Sequence, residues 1–203
     1  MLEAAATRTR LTDELVRRQV LVTFVASYYL IAVAAGVLTG QSNTALYAVV
    51  TAGLIGIFSW IHLRFGLSDG LLWALAFLGA LHLAGGLIPV GEDQILYNAR
   101  FAIYPLQLDR LVHAYGAAVL TLVAWQVLRH ETKARPTGVA VTVTAFAALG
   151  ATVIEEIAEF ATSSFAPTHV GGYVNTGWDL VFDLIGCILI ALWIYRRAEV
   201  GTA

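Results

Sequence analysis

The sequence predicts an all-α, polytopic membrane protein, a bundle of six transmembrane helices with both termini in the cytoplasm. Three observations predict it. Apolar residues make up 59% of the 203-residue chain and charged residues only 13%, where soluble domains average about 45–50% and about 25%. Six apolar runs of about 18–23 residues are each long enough to cross the hydrocarbon core of a bilayer. Of the 12 Lys and Arg residues, all but Arg100 and Arg110 fall in the N-terminal segment, the turn at Arg64, the loop Arg129–Arg135 and the C-terminal tail. Basic residues mark the cytoplasmic side. The net charge of −2 and the lack of a basic stripe speak against a nucleic-acid partner. A single cysteine, Cys187, excludes an intrachain disulfide and reads as a small core residue.

The elements follow in order. Residues 1–18 hold Arg8, Arg10, Arg17 and Arg18 and read as a cytoplasmic segment, with a helical turn capped at Thr12 or Asp13. Gln19–Leu38 is an uncharged run and the first span. It is longer than the apolar region of a signal peptide, the competing reading. After the polar turn Gly40–Asn43, the second span covers Thr44–His62 and closes at Arg64-Phe65-Gly66. The third, Leu71–Val90, is interrupted by His82. Glu92–Leu108 is too polar to span and too aromatic for a simple linker. The fourth span is Asp109–Leu128 and the fifth Gly138–Phe160. A second long loop, Thr162–Gly177, contains Pro167 and His169. The sixth span, Trp178–Tyr195, stops at Arg196-Arg197, leaving 198–203 as a cytoplasmic tail. No repeat or linker divides residues 19–197, which read as one membrane domain.

The chemistry concentrates in Ile154-Glu155-Glu156-Ile157-Ala158-Glu159-Phe160, which ends a run free of ionisable groups from Gly138 to Val153. A carboxylate at mid-membrane costs about 2.5–3.5 kcal/mol on insertion scales and less near the interface. At about 100° per residue, Glu159 falls between Glu155 and Glu156, so all three share one face. Their mutual repulsion calls for protons, a basic partner or a metal ion. Capping does not explain them, because a helix C-terminus disfavours anions.

The predicted topology brings other groups to the same outer depth: Asp109 and His113 at the start of the fourth span, Asp179 and Asp183 at the start of the sixth. His82 lies in the outer half of the third, about 12 Å from its end. Each pair has i, i+4 spacing and so shares a helix face. Asp109 and Asp179 have an alternative reading as N-caps; Asp183, about two turns into an apolar span, has none. His62 and His130 read as interfacial or solvated, and His169 as a mobile loop ligand. Trp178 reads as an interfacial aromatic or as a wall of the site. Arg100 and Arg110 are too few to neutralise the acids.

Carboxylates with imidazole and no thiolate suit zinc, manganese or iron better than copper. Helices offering inward carboxylates at i, i+3 or i+4 are how metal sites in bundles are built. The candidate ligands are His82, Asp109, His113, Glu156, Glu159, Asp179 and Asp183. Glu155 and Glu156 are the candidates for moving protons in catalysis. A relay of protonated carboxylates fits the same spacings.

Three elements of the chain, Asp109-Arg110-Leu111-Val112-His113, Glu155-Glu156-Ile157-Ala158-Glu159-Phe160 and Gly177-Trp178-Asp179-x3-Asp183, resemble the YjdF-type family of small bacterial inner-membrane proteins. In that family D-R-x-x-H-F-x-x-G, E-x-x-E-W/F and G-D-x-W-D-x-x-x-D/N elements occur in this order. Leu81-His82-Leu83-Ala84-Gly85 is similar to its upstream histidine element, although Leu87 stands where a second histidine is usual. Gly-Gly-Tyr-Val-Asn-Thr replaces the family's longer acidic loop. A weaker resemblance links the same order of elements to VanZ-like membrane proteins. The resemblance implies a multi-pass protein of the bacterial inner membrane, and that Asp109, His113, Glu156, Glu159, Asp179 and Asp183 belong to the family pattern. It supplies no reaction, the YjdF family being of unknown function.

The function expected is a metal-dependent enzyme that hydrolyses or transfers a group on a lipid-linked, amphiphilic or small-molecule substrate at the outer side. The alternatives are a proton- or cation-coupled transporter and a structural membrane subunit. The oligomeric state is not legible.

Overall fold

A computed structural model describes residues 12–91, 94–101, 103, 104, 106–163 and 172–200. Six long helices carry the fold: α1 Gln19–Leu38, α2 Thr44–Phe65, α3 Asp69–Leu87, α4 Leu108–Thr132, α5 Gly138–Ser163 and α6 Tyr173–Val200. Residues 12–17 form a further helical stretch. Among the described residues there is no strand, only two isolated antiparallel bridges, Pro89 with Ile95 and Arg100 with Gln107. All six long helices have the length and apolarity to cross a membrane. Large apolar side chains such as Ile31, Val49, Phe146, Ile154 and Phe160 lie exposed along them, as a lipid-facing surface requires.

The chain separates into two compact units, Met1–Leu83 and Ala84–Ala203. In the first, α1 and α2 meet where Gly36 lies against the Thr44 side chain, and Tyr29 donates its hydroxyl to the Ala48 carbonyl at 3.1 Å. Gly66 takes the left-handed conformation, φ 69°, that stops α2 and that a residue without a Cβ adopts at little cost. Charges gather at one end of this unit. Glu14 pairs with Arg18 and, at 3.3 Å, with His62; Arg18 also binds Asp69 at 2.7 Å. His62 is therefore partnered at its helix end, as an interfacial residue is expected to be.

In the second unit, the segment between α3 and α4 is folded rather than slack. Leu96 N–H donates to the Ile88 carbonyl at 2.8 Å and Leu108 N–H to that of Ala99 at 3.0 Å. Ile95 and Tyr97 are buried, and the Tyr97 ring fills the space that a side chain at Gly85 would need. Helices α4, α5 and α6 then pack on one another in layers. Ala117, Ala148 and Cys187 form one layer; Trp125, Val141 and Ile194 form the next. Residue numbers rise together in α4 and α6 and fall in α5, so α4 and α6 are parallel and α5 is antiparallel to both. The first layer is built of small residues, as expected where close packing rather than water exclusion holds helices together. Cys187 is a buried free thiol, in keeping with its reading as a core residue.

The elements differ from the sequence expectation mainly at their ends. Helix α6 starts at Tyr173 rather than Trp178, and α5 continues to Ser163. Thr162 and Ser163 hydroxyls donate to the carbonyls of Ala158 and Phe160, and the second satisfies a last-turn acceptor that the helix leaves open. The loop residues Pro167 and His169 lie outside the described residues.

Candidate metal centre

The site forms at the end of the α4–α5–α6 stack opposite Trp125 and Ile194, and α4 supplies its centre. Gln107, in extended conformation with φ −138°, precedes the first turn as N-cap. Asp109 is thus not the cap. Its side chain is 5% exposed and its Oδ2 accepts a hydrogen bond from Asn175 Nδ2 at 3.1 Å. One turn on, the His113 side chain is 8% exposed and its Nε2 lies 3.9 Å from Asp109 Oδ1. Its other nitrogen, Nδ1, faces three carboxylates: Asp183 at 3.3 Å, Glu156 at 3.7 Å and Glu155 at 3.8 Å. Acids from both neighbouring helices therefore surround one imidazole.

Helix α6 contributes Asp179 and Asp183, both with no exposure. Because the helix starts at Tyr173, Asp179 lies in its second turn, and the N-cap alternative fails for it too. What lets α6 come so close is Gly186, whose missing Cβ would collide with the backbone carbonyl of Ala114, the residue after His113. From α5, Glu156 points inward and is buried, whereas the Glu155 side chain is 46% exposed. Glu159 lies near Glu155. One ligand atom each from His113, Glu155 and Glu159 falls within 4.8 Å of the others, and the same holds for Asp109, His113 and Asp179.

Asn175 was not legible as a site residue when its stretch was read as loop. Its Nδ2 donates to Asp109 Oδ2 and also to Asp179 Oδ2, while its Oδ1 accepts from Gln107 Nε2 at 3.4 Å. The amide thus clamps one acid from α4 to one from α6, and Gln107 fixes which way the amide faces. The signal was present as spacing: Asn175, Asp179 and Asp183 recur every four residues and form one helical line.

The placement of the remaining candidates is varied. Among the acids and histidines singled out above, the structure brings together Asp109, His113, Glu155, Glu156, Glu159, Asp179 and Asp183. His82 belongs to the first unit, where its ring stands 5.0 Å from that of Tyr47. His130 is exposed beside Glu131, as expected for a solvated residue. Arg110 is buried with its guanidinium over Trp178 at 5.4 Å and Tyr104 at 6.0 Å, so Trp178 walls a cation next to the acids.

The donor set is oxygen and nitrogen. The only thiol, on Cys187, instead points at the Ala117 carbonyl one turn below Asp183. Both oxygens of Glu156, both of Asp183 and Oδ1 of Asp179 are buried without a hydrogen bond of good geometry, Asp183 lying 3.3 Å from His113 Nδ1, a state that costs several kcal/mol per charge unless compensated. Ligands bonded to one cation at about 2.0–2.2 Å stand about 3–4 Å apart, and the separations of 3.3–3.8 Å around His113 Nδ1 match that spacing.

Such a fold and site define a class: a multi-pass helical membrane protein with a buried carboxylate–imidazole cluster. The chain belongs to the family described as Predicted membrane protein (DUF2238), which it matches over residues 20–199. A relative from Thermotoga maritima, named only as an uncharacterized protein, is 34% identical over 93 residues. That match covers 44% of this chain and 48% of the relative, so the chain spans about half the relative's length. No solved structure matches. Neither match lends support to the VanZ-like resemblance.

Proposed function

We propose that this protein is a membrane-embedded, metal-dependent enzyme of the YjdF type, acting on a lipid-linked or amphiphilic substrate at the outer face of the bacterial inner membrane. The observation that carries the proposal is the set of buried carboxylate oxygens without hydrogen bonds of good geometry around His113. A zinc, manganese or iron ion held by Asp109, His113, Glu156, Glu159, Asp179 and Asp183 would compensate them. Such an ion supplies an electrophile and a water acidic enough to attack at neutral pH. Glu155, half exposed and 3.8 Å from His113, is the group placed to exchange protons with the substrate, with Glu156 the buried member of the pair. Apolar side chains within the same bilayer would present the substrate's lipid part.

A proton or cation relay is the competing reading. What weighs against it is the stack below the site. Between His113 and Arg129 in α4, from Gly138 to Ile154 in α5 and from Leu184 to Ile194 in α6 there is no acidic or basic residue. The layers there are Ala117, Ala148 and Cys187, then Trp125, Val141 and Ile194.

The test is hydrolysis of amphiphilic phosphodiesters and carboxylic esters by the purified protein in mixed micelles. Turnover that chelator abolishes, and that Glu155→Gln abolishes while keeping bound metal, supports the enzyme. Absence of turnover on every substrate, together with a proton flux into proteoliposomes that Asp183→Asn stops, establishes the relay instead.

A further inference from the structure

His113 belongs to two ligand sets at once. One comprises Asp109, His113 and Asp179, the other His113, Glu155 and Glu159. They flank opposite sides of the ring: Asp109 lies by Nε2, while Glu155, Glu156 and Asp183 lie by Nδ1. Each edge also has buried carboxylate oxygens that no hydrogen bond of good geometry satisfies. On the Nε2 side it is Asp179 Oδ1; on the Nδ1 side they belong to Glu156 and Asp183. Asn175 holds the Oδ2 atoms of Asp109 and Asp179, and Asp109 Oδ1 lies 3.9 Å from His113 Nε2.

Charge separates one cation from two. Six carboxylates line the site, and the nearest other fixed cation is Arg110, buried beside Asp109. One divalent ion with Arg110 leaves three negative charges uncompensated, and two ions bridged by a His113 imidazolate leave two, with Glu155 half exposed to solvent. A single ion on either edge also leaves the acids of the other edge facing one another, and like charges so close disfavour a shared ionised state.

We infer that the site takes two divalent cations, one on each nitrogen edge of His113. Asp109 and Asp179 hold the first, and Glu159, Glu156 and Asp183 hold the second, with Glu155 beside it as the half-exposed group that moves protons. The inference rests on the metal reading above and adds its stoichiometry and ligand division. A ring bound through both nitrogens is an imidazolate, and at N–metal lengths of about 2.0–2.1 Å its two ions stand about 6 Å apart, so they face a substrate as two separate cations. That fits an anionic group such as a phosphoester better than a neutral ester.

The experiment loads the detergent-solubilised full chain with Mn²⁺, counts bound manganese per chain after removal of excess, and records its EPR spectrum. The expected result is two ions per wild-type chain with a spin-coupled spectrum. Asp179→Asn and Glu159→Gln should each keep one ion, with the isolated-ion spectrum restored, and the double variant should keep none. One ion per wild-type chain at saturation, with an isolated-ion spectrum, overturns the pair while leaving a single-metal enzyme standing. Failure to retain Mn²⁺, Zn²⁺ or Fe²⁺ at all overturns both. The wild-type count and spectrum decide the question even if a variant does not fold.

Discussion

Asn175 Nδ2 lies 3.1 Å from Asp109 Oδ2, across 66 residues of sequence. This contact joins the first turn of α4 to the first turn of α6 and holds the acid that faces His113. If Asn175 orients two metal ligands, Asn175→Ala should weaken divalent-ion binding by about 10–100-fold, the usual loss when a partner of a ligand is removed. Equilibrium dialysis with Mn²⁺ reads this out. Unchanged affinity with a lowered unfolding temperature would make the clamp merely structural.

The close approach of α6 to α4 depends on Gly186, where a Cβ would meet the Ala114 carbonyl. Gly186→Ala should therefore lower stability by about 1–3 kcal/mol, the range for overpacking a filled site. Gly150→Ala is the control. Gly150 lies inside α5 with open space around its would-be Cβ, and a helix interior gains about 0.5–1 kcal/mol from that change. Thermal unfolding of the two variants in detergent should shift in opposite directions.

Asp183 is fully buried, and neither of its oxygens has a hydrogen bond of good geometry. With metal bound, Asp183→Asn should lose metal and thermal stability together, and chelator should then have little further effect. Without metal, the same change relieves repulsion among the acids and raises stability. The sign of the shift in unfolding temperature separates the two cases.

If basic residues mark the cytoplasmic side, the C-terminus is expected in the cytoplasm and the segment 164–171 outside. Reporter fusions after Ala203 and within that segment should give cytoplasmic and external signals respectively. A cytoplasmic signal from 164–171 would turn the site to the other face of the membrane.

Much of the fold was legible because apolar runs of bilayer length are an all-or-none signal: α1 spans Gln19–Leu38 as read from the sequence. Helix ends were less legible. The stretch from Tyr173 to Gly177 is polar and contains glycine, so it reads as loop, yet α6 runs through it. There the hydrogen bonds of Asn175 to acids on two helices reward helical register, a tertiary effect that local propensity does not contain. That hidden turn also misled the capping alternative for Asp179. The acids of the cluster were found because charge in an apolar span is costly wherever it lies. Asn175 and Gln107 were missed because uncharged amides carry no such signal. His82 was singled out by its depth and by its place in the histidine element; its ring stands 5.0 Å from that of Tyr47 in the first unit.

The central claim is that divalent metal holds the acids around His113 together. Elemental analysis of the purified wild-type chain, paired with thermal unfolding before and after chelation, tests it most directly. The expected result is zinc, manganese or iron bound in stoichiometric amount, a fall in unfolding temperature on chelation, and recovery when the same ion is restored. A protein that is metal-free as isolated, indifferent to chelator and not stabilised by added Zn²⁺, Mn²⁺ or Fe²⁺ would contradict it.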